Sequence, residues 1–207
     1  MRYPHSGYPL GSDYPSPDPA DSVDPLVETL LLSAEICGRP LSTGAARLMA
    51  QDLANLPQEQ VLAALTRCRM EVQGALTLPE IVLRIDDGRP DITAAWDLLP
   101  RSESASVVWT SEIVLAWSMA LPQLVEGDEA GARQTFEQAY RKALVEARMR
   151  GEPVRWIPSL GSDLAGRRKT LLEAVAQHRL SAEHVAPLLP EEAMDELMPE
   201  PVICKLH

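Results

Sequence analysis

The sequence predicts an all-α protein: a compact helical bundle of about five short helices over residues 25–100, then a second helical region over residues 101–189 with one long helix. Three observations carry this reading. Apolar residues recur at intervals of three and four through most of the chain. Most of these runs open on Ser, Thr or Asp and close on Gly or Pro. Aromatic residues are only 4% of the chain, with Phe136 the single phenylalanine, so Leu, Ala, Val and Met must fill the interior. Small residues let helix backbones approach closely.

Residues 1–24 hold Tyr3-Pro4, Tyr8-Pro9 and Tyr14-Pro15 among Gly, Ser and Asp, a Tyr/Pro-rich arm expected to be disordered. Asp24-Pro25 then reads as a cap and first helical residue, followed by Val27, Leu30, Leu31, Ala34 and Cys37 on one face and a stop at Gly38-Arg39-Pro40. Ser42 caps a second helix with Ala45, Leu48, Met49, Leu53 and Leu56 in register. Pro57 starts a third, with Val61, Leu65, Cys68 and Val72, closed by Gly74.

The sharpest local grammar lies in Ala75 to Pro100, a joint between two helical halves. Thr77-x-x-Glu80 is a capping box, with Pro79 in the first turn, where a missing N–H costs nothing. Leu78, Ile81, Val82 and Ile85 share a face, Asp86-Asp87-Gly88-Arg89-Pro90 ends that helix, and Asp91 caps another carrying Ala94, Ala95, Trp96, Leu98 and Leu99.

Beyond the joint, Val107 to Trp109 reads as a short extended piece and Thr110-Ser111-Glu112 opens a helix with Ile113, Ala116, Trp117, Ala120 and Leu124, kinked or shortened by Pro122. Gly127-Asp128 is a break. The longest helix follows, Glu129 to Arg150, with Ala132, Phe136, Ala139, Tyr140, Ala143 and Ala147 as its buried stripe. Glu152 to Pro158 must be extended, because prolines bracket Arg155 and Trp156. A helix from about Ser162 to His178 and a short one capped by Ser181 complete the region.

The net charge of −11 sits largely at the two ends. Residues 1–25 set Arg2 against Asp13, Asp18, Asp21 and Asp24. Residues 190–207, an acidic tail, set Lys205 against Glu191, Glu192, Asp195, Glu196 and Glu200. Within that tail Met194, Leu197 and Met198 form a candidate partner-binding amphipathic stretch.

Cys37, Cys68 and Cys204 form no C-x-x-C pair and are odd in number, which points to a reducing, cytoplasmic setting. The start lacks the apolar core of a signal peptide, and no apolar run approaches the ~18 residues of a membrane span. No membrane association is expected.

No catalytic, metal or cofactor set stands out. His5, His178, His184 and His207 are scattered, Asp86 and Asp87 lack a companion ligand, and Cys37 and Cys68 fall on apolar faces. Gly161 to Thr170 has the wrong spacing for a phosphate loop. An enzyme is therefore not expected, and no cofactor. The basic residues between 141 and 169 carry more weight, exceeding the acids there by five in an acidic chain. Arg141, Arg148, Arg155, Trp156, Arg167, Arg168 and Lys169 make a candidate nucleic-acid-binding face, pairing phosphates and stacking a base of a single strand. The competing reading places Trp156 in the core and the cations at a helix C-terminus, where they offset its dipole.

Residues 25–100 resemble the small helical domain of phage-encoded replicative-helicase loaders and loader inhibitors. The resemblance rests on Gln60-Val61-Leu62-Ala63-Ala64-Leu65, Leu76-Thr77-Leu78-Pro79-Glu80-Ile81 and Ala94-Ala95-Trp96. The stretches GRP with AAWDLLP, VVWTSE and RWIPSLGSD are similar to those of prophage-borne replication-region proteins. There is no ATPase motif, so the resemblance implies adaptor or inhibitor action rather than ATP-dependent loading. It implies a replicative helicase, or another replication protein, as the partner. The alternatives are the nucleic-acid-binding face and an acidic, charge-mimicking inhibitor of a host nucleoprotein. Oligomeric state is not readable from the sequence.

Overall fold

The computed structural model describes residues 24–189; the Tyr/Pro-rich arm, apart from Asp24, and the acidic tail with Met194, Leu197 and Met198 lie outside them. The described residues are mostly helical, as the periodicity requires. In the first half the helices are α1 (Pro25–Cys37), α2 (Thr43–Leu53), α3 (Gln58–Glu71), α4 (Leu78–Val82) and α5 (Ile92–Asp97). Their starts are fixed by side chains: Asp24 accepts from the Leu26 amide, Ser42 from Ala45 and Asp91 from Ala94, each satisfying an N–H that the helix leaves unpaired. Thr77 accepts from the Glu80 amide, but the return half of the capping box is absent, because the Glu80 carboxylate is engaged by Arg84.

Gly38 caps the end of α1 and Gly74 follows the Val72 cap of α3 by two residues, with φ of 102° and 111°, a backbone region where a Cβ is strained. Each glycine and the residue after it pair as two short parallel strands, β1 (Gly38–Arg39) and β2 (Gly74–Ala75), which tie the two helix ends together. Val27, Leu30, Ala34, Val61, Leu65, Ile81 and Val82 form the first core, beneath α1, α3 and α4. The buried face of α2 departs from expectation. Ala46, Ala50 and Leu53 point inward, while Leu48 is 64% exposed. The helix is rotated so that two alanines, which permit close approach, meet the neighbouring helices.

The second half runs β3 (Val107–Thr110), α6 (Ser111–Val125), α7 (Glu129–Met149), β4 (Trp156–Ser159), α8 (Leu164–Ala176), α9 (Ala182–Val185) and a 3-10 turn, Ala186–Leu188. Pro122 lies in the last turns of α6, which runs on to Val125 before Gly127 and the Asp128 cap redirect the chain. α6 and α7 form the most extensive helix contact in the molecule. Ile113, Ala116 and Ala120 of α6 pack with Ala132, Phe136 and Tyr140 of α7. Ala95, Trp96 and Leu99, from α5 and the turn after it, belong to this second core, although their stretch was counted with the first bundle. Val145 and Met149 near the end of α7 pack against the first core, so one helix serves both.

The two extended pieces read from sequence find each other. β3 and β4 pair antiparallel, with Val107 opposite Ser159 and Thr110 opposite Trp156, across the base of the α6–α7 hairpin. α8 packs behind this ribbon, and Val108, Leu171, Ala174, Val185 and Leu189 make a third, small core.

Cys37 and Cys68 are buried within the first core, and burial raises both thiols above their ordinary range, Cys68 to about 11. Native protein at neutral pH is expected to take up thiol reagent at these two positions only as fast as it unfolds. Peptide mapping with and without denaturant checks this; rapid labelling of Cys68 in the native state would contradict the packing.

Candidate functional site

The expected basic face begins on α7, whose length follows from an uninterrupted 3.6-residue stripe ending at Ala147 and Arg148. Arg148 continues the series Tyr140, Leu144 and therefore lies on the buried side. Its side chain is 4% exposed. Nε and Nη2 donate to the two oxygens of Asp87 at 3.1 and 2.9 Å, a bidentate pair, and Nη1 donates to the carbonyls of Val82 and Leu83 at 2.9 and 3.1 Å. Two carbonyls at the end of α4, of which Val82 also accepts from the Ile85 amide, are thereby bound from a helix more than sixty residues away. Asp87 in turn holds Arg89, which is 1% exposed and also donates to Glu112 Oε1 at 3.0 Å and to the Glu152 carbonyl at 3.0 Å.

Two guanidinium groups and two carboxylates thus make a buried, formally neutral network joining the Asp86–Pro90 turn, α6, α7 and the segment before β4. Burial alone would push the Asp87 carboxyl up. The hydrogen bonds and charge of Arg148, with those of Arg89, outweigh it and hold the carboxyl below the usual carboxylate range. Tyr140 closes the same corner by donating to the Pro90 carbonyl at 2.8 Å, and burial pushes its phenol upward. Tyr140→Phe is expected to cost about 1 kcal/mol, the net worth of that bond plus the stranded carbonyl. Thermal denaturation of the variant checks it.

The arrangement departs from the sequence-based site at Arg148, at Trp156 and in the spread of the other cations. Arg148 is not a surface cation, since all three of its guanidinium nitrogens donate within the protein. Trp156 is half-buried in β4, and the guanidinium of Arg179 lies over its ring at 4.5 Å, on a face that base stacking would use. The remaining cations are not gathered together. Arg141 is exposed on α7 and opens on a cleft of about 370 Å³, whose wall the buried Arg89 and Arg148 also reach, but no residue of β4 or α8 does. Arg155 is exposed beside the start of α6, its carbonyl accepting from the Ser111 amide. Arg167 and Arg168 are half-buried near the start of α8, where Arg167 donates to the Gly161 carbonyl at 2.6 Å. Lys169 is exposed there, within 3.9 Å of Glu173.

The lining of this cleft sets five arginines, Arg67, Arg84, Arg89, Arg141 and Arg148, against Glu71, Asp86 and Asp91, with Arg84 already paired to Glu71. Among the described residues no group of three His, Cys, Asp or Glu is placed to hold a metal ion. No helix among them is long and apolar enough to cross a membrane.

The features that sequence reasoning did not anticipate are exposed apolar side chains. Leu32 and Ile36 of α1 are 54% and 62% exposed, and Met70 of α3 is 77% exposed, on two helices joined by a hydrogen bond from Arg69 to Ser33 Oγ. α6 carries a second set, Leu115, Met119, Leu121 and Val125. A pattern that fills more of the helix surface than one core can cover was the available signal. Set against protein-family models, curated proteins and solved structures, the chain matches none of them.

Proposed function

We propose that this chain is a non-enzymatic phage or prophage protein that binds a replicative helicase, or another protein of the replication machinery, as an adaptor or inhibitor. The observation that carries the reading is the exposed apolar surface of the first bundle: Leu32 and Ile36 on α1, joined by Met70 on α3. Side chains of this kind, held on helices rather than loops, are what a partner's groove takes as anchors. Supporting it further are the sequence resemblances of residues 60–65, 76–81 and 94–96 to helicase loaders and loader inhibitors. A ligand without chemistry of its own acts by binding one conformation of its partner better than another. Here that would bias opening or loading of the helicase ring.

The test is co-elution of the full chain with purified phage and host replicative helicases, with and without DNA. A complex independent of DNA is expected, weakened about tenfold or more by Ile36→Glu or Met70→Glu with helicity unchanged. Absence of a complex, or one indifferent to both substitutions, would remove the proposal.

A second reading, contact with single-stranded nucleic acid, retains the exposed Arg141, Arg155 and Lys169. It predicts binding that falls steeply with salt, and a smaller salt slope when Arg155 and Lys169 are both changed to Glu. Arg148→Ala should instead act on stability.

A further inference from the structure

We infer that the outer face of α6 is a self-association surface, on which a second copy of this chain docks its own α6 antiparallel about a two-fold axis. From Ile113 to Val125 the helix has no ionisable residue. Its inner side is covered: Ile113, Ala116 and Ala120 are buried against α7. On the opposite side Leu115, Met119 and Val125 are 52%, 55% and 80% exposed, with Leu121 at the margin and Pro122 between. A surface helix with one covered side ordinarily turns charged residues to water. This one turns an apolar stripe at intervals of four, three and three. Ser118, the polar residue within the stripe, donates its hydroxyl to the Leu115 carbonyl at 2.7 Å, so its donor is satisfied without solvent.

The charges at the ends select the occupant. Beyond the C-terminal end stand Glu126, Asp128 and Glu129, all exposed, at the negative pole of the helix dipole. Beside the N-terminal end stands Arg155, exposed and tied to the helix through the Ser111 amide. Laid antiparallel on itself, α6 brings each copy's acidic end to the other's Arg155 and positive pole, while Leu115 meets Val125 and Met119 lies near the axis. A parallel pairing sets like charges together. One patch with opposite charges at its two ends and an apolar middle is self-complementary, the requirement of an isologous dimer.

The surface is separate from Leu32, Ile36 and Met70, and the experiment needs only the purified chain, so its result is independent of the proposed helicase contact. Sedimentation equilibrium of the full chain over a wide concentration range should show twice the monomer mass at the upper end. Met119→Lys should weaken association about tenfold or more. Because the position is exposed, the variant's circular dichroism and melting in dilute solution should match wild type. Glu126→Arg should also weaken the dimer, and adding Arg155→Glu should restore it. A monomer at every concentration, or a dimer unaffected by Met119→Lys, overturns the inference. A dimer that is lost with Met119→Lys, but that Glu126→Arg leaves intact or that Arg155→Glu fails to restore after Glu126→Arg, overturns the antiparallel arrangement.

Discussion

Asp87→Ala is expected to destabilise the protein by roughly 3–5 kcal/mol, because it leaves two buried guanidinium groups without their shared carboxylate. For a chain of this size that is a fall in melting temperature of about 6–20 °C. Arg89 keeps Glu112, but Arg148 keeps only the carbonyls of Val82 and Leu83, which do not neutralise a cation. The same carboxylate gives stability a particular dependence on pH. Its folded value lies below its unfolded value of about 3.9, so it binds fewer protons folded than unfolded between the two. Its contribution is complete above the unfolded value and is lost as pH falls through the folded one. Wild type should therefore lose stability steeply on acidification below about pH 4, and Asp87→Asn, already weakened at neutral pH, should show a flatter curve there. Denaturant titrations at stepped pH decide it. A variant within about 1 kcal/mol of wild type at neutral pH would mean that the network is not sealed from water.

Phe136→Ala is the second large loss, expected at about 3–5 kcal/mol. Phe136 is fully buried between α5, α6 and α7, stacked on Tyr140 at a 5.6 Å ring separation and edge-on to Trp96 at 5.2 Å. Trp96 and Tyr140, the rings in contact with it, are rigid, and Ala116, Ala120 and Ala132 of the same core have no side chain to swing into the space. Near-UV circular dichroism should lose intensity with the stability, since two of its neighbours are chromophores. Leu48→Ala, removing a side chain that is 64% exposed, should stay within about 0.5 kcal/mol and serves as the control.

Much of the fold was legible because it is written locally. The caps at Asp24, Ser42, Thr77, Asp91 and Ser181 are legible from one residue and its position before an apolar run, and each accepts a first-turn amide; Asp128, read only as a break, turns out to be a cap as well. Asp163 stands at the N-cap of α8 but makes no such bond. What escaped is non-local. Asp87 looked like half of a polar turn, because the arginine that claims it is 61 residues away and ion pairs have no period. Arg148 was counted as surface charge although its spacing from Tyr140 and Leu144 put it inside. The α2 face was misjudged because Leu48 outweighs Ala46 and Ala50 in hydrophobicity, whereas close helix packing selects for smallness. Pairing of Val107–Thr110 with Trp156–Ser159 required knowing that the helices between them fold back.

That pairing has a kinetic corollary. The β3–β4 ribbon closes a long loop, and the entropy of closing it is large unless the ends are already near each other. The α6–α7 hairpin brings them together through contacts between successive elements, which form on a fast timescale. The ribbon should then zip late in refolding, and its amide hydrogens should exchange with deuterium no more slowly than the helical hairpin opens.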